Sequence, residues 1–226
     1  MSMKTIRLLK NRVINAVSSL AGRSYPSRLG VHRPNQVTLD FIARTNCQII
    51  AEIGIYNGYT SEGFARFLNG RGELHLFDYE FKVSAVLRKL NEAGYKNVRG
   101  FPNSSKTLDS YNWSLMKVLQ ESRDPIYDYV FIDGAHTWNL DALAFLLTDR
   151  LLKVGGYIDF DDYSWSLRKS PYLNPLAYPD TASQYTEEQI DTEHVRLILD
   201  LLIRRDSRYE EIVKNRIFRK IRGESR

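Results

Sequence analysis

Short apolar runs alternate with amphipathic segments along most of the chain. The first apolar run, Ile49 to Ala51, ends in Glu52 and is followed by a glycine turn and a segment of helical periodicity. A second apolar run closes on Asp78. A strand, a helix and a second strand in this order predict a βαβ unit, the building block of parallel sheets.

The same alternation continues toward the C-terminus and defines the remaining elements. Helices are predicted at Gln36–Arg44, Phe81–Ala93, Ser104–Gln120, Leu140–Leu152 and His194–Arg205. Strands are predicted at Asn97–Phe101, Tyr127–Ile132 and Tyr157–Phe160, and residues 209–213 and 216–221 are typical of an antiparallel hairpin. Together these elements predict an α/β fold: a Rossmann-like, doubly wound, seven-stranded sheet with a C-terminal antiparallel hairpin.

Three details of this assignment depend on local features. Val37 is expected to face inward from the first predicted helix, and Leu108 from the helix that starts at Ser104. Gly155 and Gly156 are expected to end the helix that precedes the fifth strand. Residues 163–193 lack periodicity and are rich in proline and aromatic residues, so we predict that they form a lid.

The first 34 residues differ in composition from the rest of the chain. Apolar residues recur at helical spacing from Ile6 to Leu20, with basic residues between them. No acid precedes Asp40, whereas seven lysines and arginines do, so the rest of the chain carries about −2 of the net charge of +5. We therefore divide the chain into a basic N-terminal helix and linker, residues 1–34, and a domain of residues 35–226.

Three roles for the basic N-terminal helix remain open. The first is packing on the domain or on a sister subunit of a homo-oligomer, the second is a peripheral membrane contact, and the third is a targeting peptide. The near-neutral domain shows no basic, aromatic-interleaved stripe, which argues against nucleic acid as a partner and favours a small-molecule acceptor.

Bulk composition narrows the class of protein. The 226 residues include 43% hydrophobic residues, enough for the core of a folded domain. Every apolar run falls short of the roughly 20 residues that span a bilayer. The single cysteine, Cys47, excludes an internal disulfide and fits a reducing, cytoplasmic compartment, and we interpret it as a small buried hydrophobe.

The turn after the first strand has the pattern Glu52-x-Gly54-x-x-x-Gly58. Glycines let the backbone approach a ligand closely, and the helix that follows offers free N–H groups. The spacing differs from the G-x-G-x-x-G pattern of dinucleotide sites, which favours a nucleoside without a pyrophosphate. Asp78, at the tip of the second strand, is placed to bind two ribose hydroxyls.

Polar side chains gather where the predicted parallel strands end, which is where ligands bind in open α/β sheets. They are Glu52, Asp78, Asn103, Ser104, Asp133, His136, Asp161 and Asp162. The carboxylates of Asp133, Asp161 and Asp162 would repel one another without a cation between them, and Mg²⁺ prefers such oxygen ligands. The alternative is that one or two of them cap helices or turns.

His136 follows Asp133 at the mouth of the same predicted cleft. An unperturbed histidine has a pKa of about 6.5, which suits the removal of a hydroxyl proton at neutral pH. We interpret His136 as a general base, while a metal-ligand role and a structural role remain alternatives. Aromatic residues of the predicted lid either stack on a sugar-like acceptor or pack the lid on the domain.

These motifs resemble those of class I S-adenosylmethionine-dependent methyltransferases. Residues 52–60, EIGIYNGYT, resemble the first motif of the catechol-type, metal-dependent O-methyltransferases, and Asp78 stands where that family keeps its ribose-binding acid. Residues 131–136, FIDGAH, and 155–162, GGYIDFDD, are more similar to macrocin-type bacterial methyltransferases that act on sugars. The resemblance extends from about Val37 to Tyr163.

The resemblance implies a set of site residues. S-adenosyl-L-methionine is expected to bind Glu52, Gly54, Tyr56, Gly58, Tyr59, Thr60, Asp78, Asn103, Ser104 and Asp133. Mg²⁺ is expected to bind Asp133, Asp161 and Asp162, and the catalytic residues are expected to be His136 and Asp133. The catechol-type enzymes carry a lysine as base where this chain has His136, which argues against catechol as the acceptor.

The sequence thus predicts a Mg²⁺-dependent O-methyltransferase for a small polyhydroxylated acceptor, a sugar or a glycosylated metabolite. In the implied mechanism, an acceptor hydroxyl loses its proton to His136, and its oxygen attacks the sulfonium methyl group in line. Two alternatives remain: a metal-independent methyltransferase with His136 as base, and a non-catalytic cofactor-binding or assembly module.

Overall fold

Seven strands form one mixed sheet in the computed structural model, which describes residues 33–223. The strands are β1 (Ile49–Ile53), β2 (Glu73–Tyr79), β3 (Val98–Asn103), β4 (Tyr127–Ile132), β5 (Leu152–Phe160), β6 (Tyr209–Val213) and β7 (Ile217–Lys220). Their order across the sheet is β3-β2-β1-β4-β5-β7-β6. The first five strands run parallel, and β7 is antiparallel to both β5 and β6. The predicted doubly wound sheet with a terminal hairpin is confirmed.

Helices cover both faces of this sheet. They are α1 (Gln36–Ile42), α2 (Tyr59–Leu68), α3 (Glu80–Glu92), α4 (Tyr111–Glu121), α5 (Trp138–Leu151), α6 (Thr181–Gln184), α7 (Glu187–Asp191) and α8 (His194–Ile198), which continues as a π-helix over Leu199–Ile203. Successive residues of β4 point to opposite faces of the sheet and lie in two hydrophobic cores. Val130 packs in the core formed with α4, α5 and α8, and Phe131 packs in the core formed with α1, α2 and α3.

The winding of the sheet reverses between β1 and β4. The chain leaves β1 through α2 to β2 on one side, and it reaches β4 on the other side. At such a reversal the connecting helices diverge and leave a crevice beyond the carboxyl ends of the strands. Glu52 near the end of β1 and Asp133 directly after β4 therefore border the same crevice.

The helix predicted from Ser104 onward begins only at Tyr111, so its first two turns were predicted wrongly. Ser104 instead donates through its N–H and its hydroxyl to the Asp109 carboxylate, at 2.7 and 2.6 Å, and these bonds close a loop. Ser110 then caps the helix. Leu108 lies in the loop and is 99% exposed, contrary to the inward position expected for it.

Thr38, and not Val37, faces inward from α1, which corrects the predicted orientation of this helix. Val37 is 49% exposed, whereas the buried Thr38 hydroxyl donates to the Asp159 carboxylate at 2.6 Å. The helix begins at the cap residue Asn35, whose side chain accepts from the Thr38 N–H. Burying the Asp159 carboxylate without a hydrogen-bond donor would cost more free energy than exposing one valine side chain. The contact with Thr38 therefore determines which face of the helix is buried.

β5 begins directly after α5, without the glycine exit that was predicted before Tyr157. Leu152 already pairs with Tyr127 of β4, and the register then shifts before Tyr129. Gly155 lies in this irregular stretch with a φ of +89°, a value that favours glycine. The glycine pair therefore bends a strand instead of ending a helix.

The stretch predicted to form a lid, residues 163–193, is folded. It contains a 3₁₀ turn at Leu167–Lys169 and the short helices α6 and α7. In that turn, Arg168 pairs with Asp191 at 2.8 Å and Lys169 pairs with Glu193 at 2.6 Å. The function of the stretch as a lid stays a prediction.

The basic helix predicted between Ile6 and Leu20 lies outside the described residues, as does most of the linker after it. Its membrane, oligomer and targeting roles therefore stay predictions. Among the helices of residues 33–223, none is long and apolar enough to cross a bilayer. Cys47 is buried just before β1, as expected.

A buried ionic cluster fastens the terminal hairpin to the end of α5. The Asp149 carboxylate accepts from the Tyr209 hydroxyl at 2.6 Å and pairs with Lys220 at 2.9 Å and Arg208 at 3.0 Å. Lys220 also donates to the Asp149 carbonyl at 2.6 Å. Asp149 and Lys220 are both buried, so removing either partner leaves a desolvated charge.

Asp149→Ala is expected to destabilise the protein by about 3–5 kcal/mol, because it leaves the Lys220 ammonium buried without its counter-charge. Urea denaturation measures the loss. The matched control is Glu210→Ala, which removes an exposed carboxylate from the same hairpin and is expected to change stability by less than about 0.5 kcal/mol. Equal losses in the two variants would contradict the anchoring role of the cluster.

Candidate active site at the carboxyl edge of the sheet

The glycine turn after β1 passes directly against the tip of β4. Gly54 has a φ of +83° and donates through its N–H to the Phe77 carbonyl at 2.9 Å. A Cβ at this position would overlap the Asp133 carbonyl. Gly58 has a φ of +79° at the start of α2, where a Cβ would lie 2.7 Å from the Val86 side chain. Both glycines are therefore required by close packing and by backbone conformation.

Glu52 is a buried acid with an uncommitted oxygen. The residue is 1% exposed, and its Oε2 atom has no hydrogen-bond partner among the described residues. The pKa of Glu52 is raised to about 8, chiefly by burial, which outweighs the lowering effect of Ser61, and to a smaller extent by the nearby Asp78 carboxylate. A buried acid of this kind is ready to ionise when a positively charged ligand arrives.

Asp78 is held firmly at the tip of β2. Its carboxylate accepts from the N–H groups of Ile55 and Tyr79, at 3.0 and 2.7 Å, and from the Lys82 ammonium at 3.1 Å. The Lys82 ammonium also lies over the rings of Tyr56 and Tyr79, 6.0 and 5.6 Å from their centroids. The predicted ribose acid is thus fixed on the glycine turn and carries a cation beside it.

Asn103 and Ser104, at the tip of β3, differ in whether their side chains have a hydrogen-bonding atom available to a ligand. Asn103 is buried and donates to the Ser104 carbonyl at 3.1 Å, while its Oδ1 atom has no partner among the described residues. The Ser104 hydroxyl is already bonded to Asp109. Asn103 is therefore the member of this pair with an acceptor available to a ligand.

Three predicted cofactor residues flank the glycine turn at the surface. Tyr56 and Tyr59 are both exposed, and the Lys89 ammonium lies 5.0 Å from the centroid of the Tyr59 ring. The Thr60 hydroxyl oxygen accepts from the Asn35 N–H at 3.0 Å. Asn35 was not predicted as a site residue, yet it joins this turn to the tip of β5.

Asp133, His136 and Asp162 form a cluster at the tips of β4 and β5. Each offers one ligand atom, and these atoms all lie within 4.8 Å of one another. The His136 Nε2 atom is 3.7 Å from the Asp133 carboxylate and 3.4 Å from that of Asp162. His136 and Asp162 both have left-handed backbones, with φ of +53° and +59°, and these turns point their side chains into the crevice.

Asp161 is not a member of this cluster, although its charge acts on Asp133. Its carboxylate pairs with the Arg216 guanidinium at 2.8 Å and accepts from the Asn35 amide at 2.9 Å. Arg216 also pairs with the fully buried Asp159 at 3.1 Å and donates to Thr38 at 2.9 Å. Asp161 as a metal ligand stays a prediction, and the structure gives its carboxylate another partner.

Arg216 was missed because its position depends on pairing distant in sequence. It immediately precedes β7, and the β5–β7 register opposes Asp159 to Ile217. The Arg216 carbonyl accepts from the Phe160 N–H at 3.0 Å, which brings it to the carboxyl end of β5. The predicted hairpin could have located it had its register against β5 been derived.

Crowded carboxylates dominate the electrostatics of this edge. Burial raises the pKa of Asp133 well above its usual range, and the charges of Asp161, Asp162 and Glu52 raise it further. Burial also raises the pKa of Asp162, against the nearby His136 charge. Two neighbouring carboxylates that repel each other fit a divalent cation, which would neutralise both, and the imidazole of His136 lies within reach of the same point.

Trp165, in the stretch predicted to form a lid, lies close to His136. Its ring is 5.2 Å from the His136 ring, and its backbone N–H donates to the Asp162 carbonyl at 2.9 Å. Nearby, a pocket of about 270 Å³ is lined by Trp138, Asn139, Gln184, Tyr185, Gln189 and His194. Sequence reasoning did not find this pocket, because its residues come from separate short helices.

His194 closes one wall of that pocket. Its Nδ1 atom accepts from the Trp138 N–H at 2.9 Å, and its Nε2 atom lies 2.7 Å from the Gln189 carbonyl. Because Nδ1 must accept, Nε2 carries the proton and donates to the carbonyl. His194 therefore ties α7 to the first residue of α5, Trp138, which follows His136 by two residues.

A family model described as a methyltransferase domain matches residues 51–163, half of the 226 residues. The match begins in β1 and ends just after β5, so it includes every predicted cofactor, metal and catalytic residue. No curated protein matches the chain.

Solved structures give the same fold. A proposed caffeoyl-CoA O-methyltransferase from Staphylococcus aureus has a TM-score of 0.57 and 18% identity, covering 97% of this chain and 98% of that one. The SAH-bound methyltransferase PaMTH1 from Podospora anserina has a TM-score of 0.56 and 12% identity, covering 96% and 95%. A proposed O-methyltransferase from Klebsiella pneumoniae has a TM-score of 0.55 and 19% identity, covering 88% and 87%. At these identities the likeness shows a shared fold.

The raised pKa of Glu52 predicts how stability depends on pH. Its ordinary pKa is 4.5 and its folded pKa is about 8, so the folded chain retains a proton that the unfolded chain loses in this range. Stability is therefore lost as pH rises through this window. Glu52→Gln removes this pH dependence. The free energy of unfolding of the variant, relative to that of the wild type, should therefore rise by about 2–4 kcal/mol as the pH increases from about 5 to about 9.

Thermal and urea unfolding across this range, without added ligand, measure the difference between variant and wild type. Titrating groups that do not interact with Glu52 are common to both proteins and cancel, whereas the Asp133 pKa, which the Glu52 charge raises, changes with the substitution. Glu92→Gln, which changes an exposed glutamate of α3, serves as control and should keep a constant difference. A constant difference for Glu52→Gln as well would contradict the assigned state of the buried acid.

Proposed function

We infer the function of this chain from its family and its site: the chain belongs to the methyltransferase-domain family whose model matches residues 51–163. We propose that it transfers a methyl group from S-adenosylmethionine to a hydroxyl oxygen of a small polyhydroxylated acceptor, with a divalent cation. The observation that carries the proposal is the set of uncompensated carboxyl groups at the switch between β1 and β4, because it demands cationic ligands.

The cofactor residues fit the chemistry of S-adenosylmethionine. The ligand carries an ammonium and a sulfonium charge, which complement the buried carboxyl of Glu52 and its unpartnered oxygen. Its ribose offers two hydroxyls to Asp78, and its adenine amino group offers a donor to the free Oδ1 atom of Asn103. Gly54 lets the turn pack directly against the Asp133 carbonyl, which brings the two sides of the crevice together.

Asp133 and Asp162 are the residues that hold the cation in this proposal. Both supply carboxylate oxygens, the ligands that Mg²⁺ prefers. When bound, the cation supplies Lewis-acid polarisation of an acceptor oxygen. Asp161 is kept out of this set by its ion pair with Arg216, so it shapes the site without contacting the metal.

His136 serves as the general base. Its Nε2 atom faces the two carboxylates and takes the proton of the acceptor hydroxyl as the oxygen attacks the methyl carbon. A carbon–oxygen bond forms, the carbon–sulfur bond breaks, and the bonding pair stays on sulfur, which becomes neutral. Trp165 covers the imidazole and limits the access of water.

The acceptor class is proposed from the pocket beside His136. Its lining combines the aromatic residues Trp138 and Tyr185 with three amide side chains, and none of its residues is a lysine, arginine or acid. Aromatic faces and amides bind neutral, hydroxylated rings, because the rings stack on C–H surfaces and the amides bond to hydroxyls. A neutral sugar or glycosylated metabolite therefore suits the pocket.

Isothermal titration of the purified chain with S-adenosylmethionine, followed by a methyl-transfer screen on sugars, tests the proposal. Binding and transfer are expected, and EDTA is expected to reduce transfer. Absence of heat on titration, together with no thermal stabilisation by the cofactor, would overturn the cofactor assignment. Transfer that is fully resistant to EDTA would overturn the metal.

Asp162→Asn and Asp161→Asn form a matched pair, because they make the same change at adjacent positions. Asp162→Asn is expected to weaken Mn²⁺ binding at least about 10-fold, since it removes a carboxylate ligand. Asp161→Asn is expected to keep near wild-type affinity and to lower stability, since it weakens the pairing of Arg216. Titration with Mn²⁺ as the probe measures both, and a larger loss in Asp161→Asn would contradict the ligand set.

A further inference from the structure

The loop that carries His136 rests on two buried side chains that the proposed reaction does not use. Tyr111 comes from α4 and Asp141 from α5, and the Tyr111 hydroxyl donates to the Asp141 carboxylate. Asp141 is 1% exposed. The two residues lie on different helices, so they meet only in the folded chain.

The backbone of residues 134–135 lies directly on this pair. The Ala135 N–H points at the Tyr111 hydroxyl oxygen at 3.3 Å and at the Asp141 carboxylate at 3.4 Å. A Cβ on Gly134 would lie 2.7 Å from the Tyr111 oxygen and 2.9 Å from the Asp141 carboxylate. The pair therefore fixes the position of the loop backbone at Ala135, one residue before His136.

His136 has a backbone that needs such support. Its φ of +53° lies in the left-handed region, which residues other than glycine adopt at a cost. Such a conformation persists where surrounding contacts hold it. The Asp141 charge also reaches the loop: burial raises the pKa of Asp141, and the positive charge of His136 lowers it, as do the loop N–H groups.

The second oxygen of Asp141 adds an independent observation. The Oδ2 atom is buried and has no hydrogen-bond partner within residues 33–223. An unpaired buried oxygen destabilises the fold, and an apolar side chain at this position would avoid that cost. The hydrogen bonds of Asp141 therefore run through its other oxygen, to Tyr111 and to the loop backbone.

We propose that Tyr111 and Asp141 are positioning residues that hold residues 133–136 so that the His136 imidazole stays between Asp133 and Asp162. The inference rests on the proposed role of His136 as the base. The placement of the imidazole is nevertheless testable without methyl transfer, so the two ideas fail separately.

Chemical modification by diethyl pyrocarbonate, mapped by peptide mass spectrometry, reports how accessible each histidine is. His136 is 18% exposed in its side chain, whereas His75 and His194 are buried. Tyr111→Phe removes only the hydroxyl, and it should raise the modification rate of His136 severalfold while the rates of His75 and His194 stay at their wild-type values.

The matched control is Tyr209→Phe, which removes a buried hydroxyl that donates to Asp149 at the other end of α5. It should leave the rate at His136 unchanged. An unchanged rate at His136 in Tyr111→Phe would overturn the proposal. So would a parallel rise at His75 and His194, because it would mean that the pair only stabilises the fold.

Asp141→Asn supplies a kinetic test, in which the methyl-transfer rates of the variant and the wild type are compared. A misplaced base slows the chemical step, so kcat should fall by about 10–100-fold while KM for S-adenosylmethionine stays within about twofold. An unchanged kcat would overturn the positioning role. If the wild type transfers no methyl group, the base assignment fails, and the modification rates still decide whether the pair positions His136.

Discussion

Repulsion among carboxylates at one edge of the sheet is the constraint on which the site depends. The charges of Glu52, Asp161 and Asp162 act on Asp133 where β1, β4 and β5 end, and Glu52 is itself buried from the water that would screen it. Arg216 relieves the repulsion on one side by pairing with Asp161 and Asp159. The remaining acids respond with raised pKa values, which is the condition that a cationic cofactor and a divalent metal would relieve.

The fold supplies this arrangement through contacts far apart in sequence. The antiparallel hairpin brings Arg216 from the C-terminal part of the chain to the tip of β5, and Asn35 arrives from the start of the described residues. Asn35 contacts Asp161, Arg216 and Thr60. It therefore links the glycine turn after β1 to the tip of β5 and to the residue that precedes β7.

The strands and the site acids were predictable, because they depend on local pattern. Apolar runs predicted the five parallel strands, and the rule that ligands bind beyond parallel strand ends placed Asp133, His136, Asp161 and Asp162 at one edge of the sheet, where the structure groups three of them without Asp161. The details that failed depend on partners elsewhere. Thr38 faces inward because of Asp159, and Ser104 forms a loop because of Asp109.

Asp161 and Asp162 have different partners in the structure, and the sequence pattern could not predict this difference either. Both are aspartates at one strand tip, and the sequence offers no reason to treat them differently. The left-handed backbone of Asp162 turns its carboxylate toward His136, and Arg216 draws Asp161 the other way. The pocket beside Trp138 was equally hidden, since its walls come from α5, α6, α7 and α8.

A crystal structure of the chain with S-adenosylhomocysteine and Mn²⁺ tests the central claim most directly, because the anomalous signal of manganese locates the cation independently of the protein. The account predicts a manganese peak bound by Asp133 and Asp162, a ribose on Asp78, and Asp161 still paired with Arg216. A manganese ion bound through Asp161, or a nucleoside placed away from the glycine turn, would contradict it.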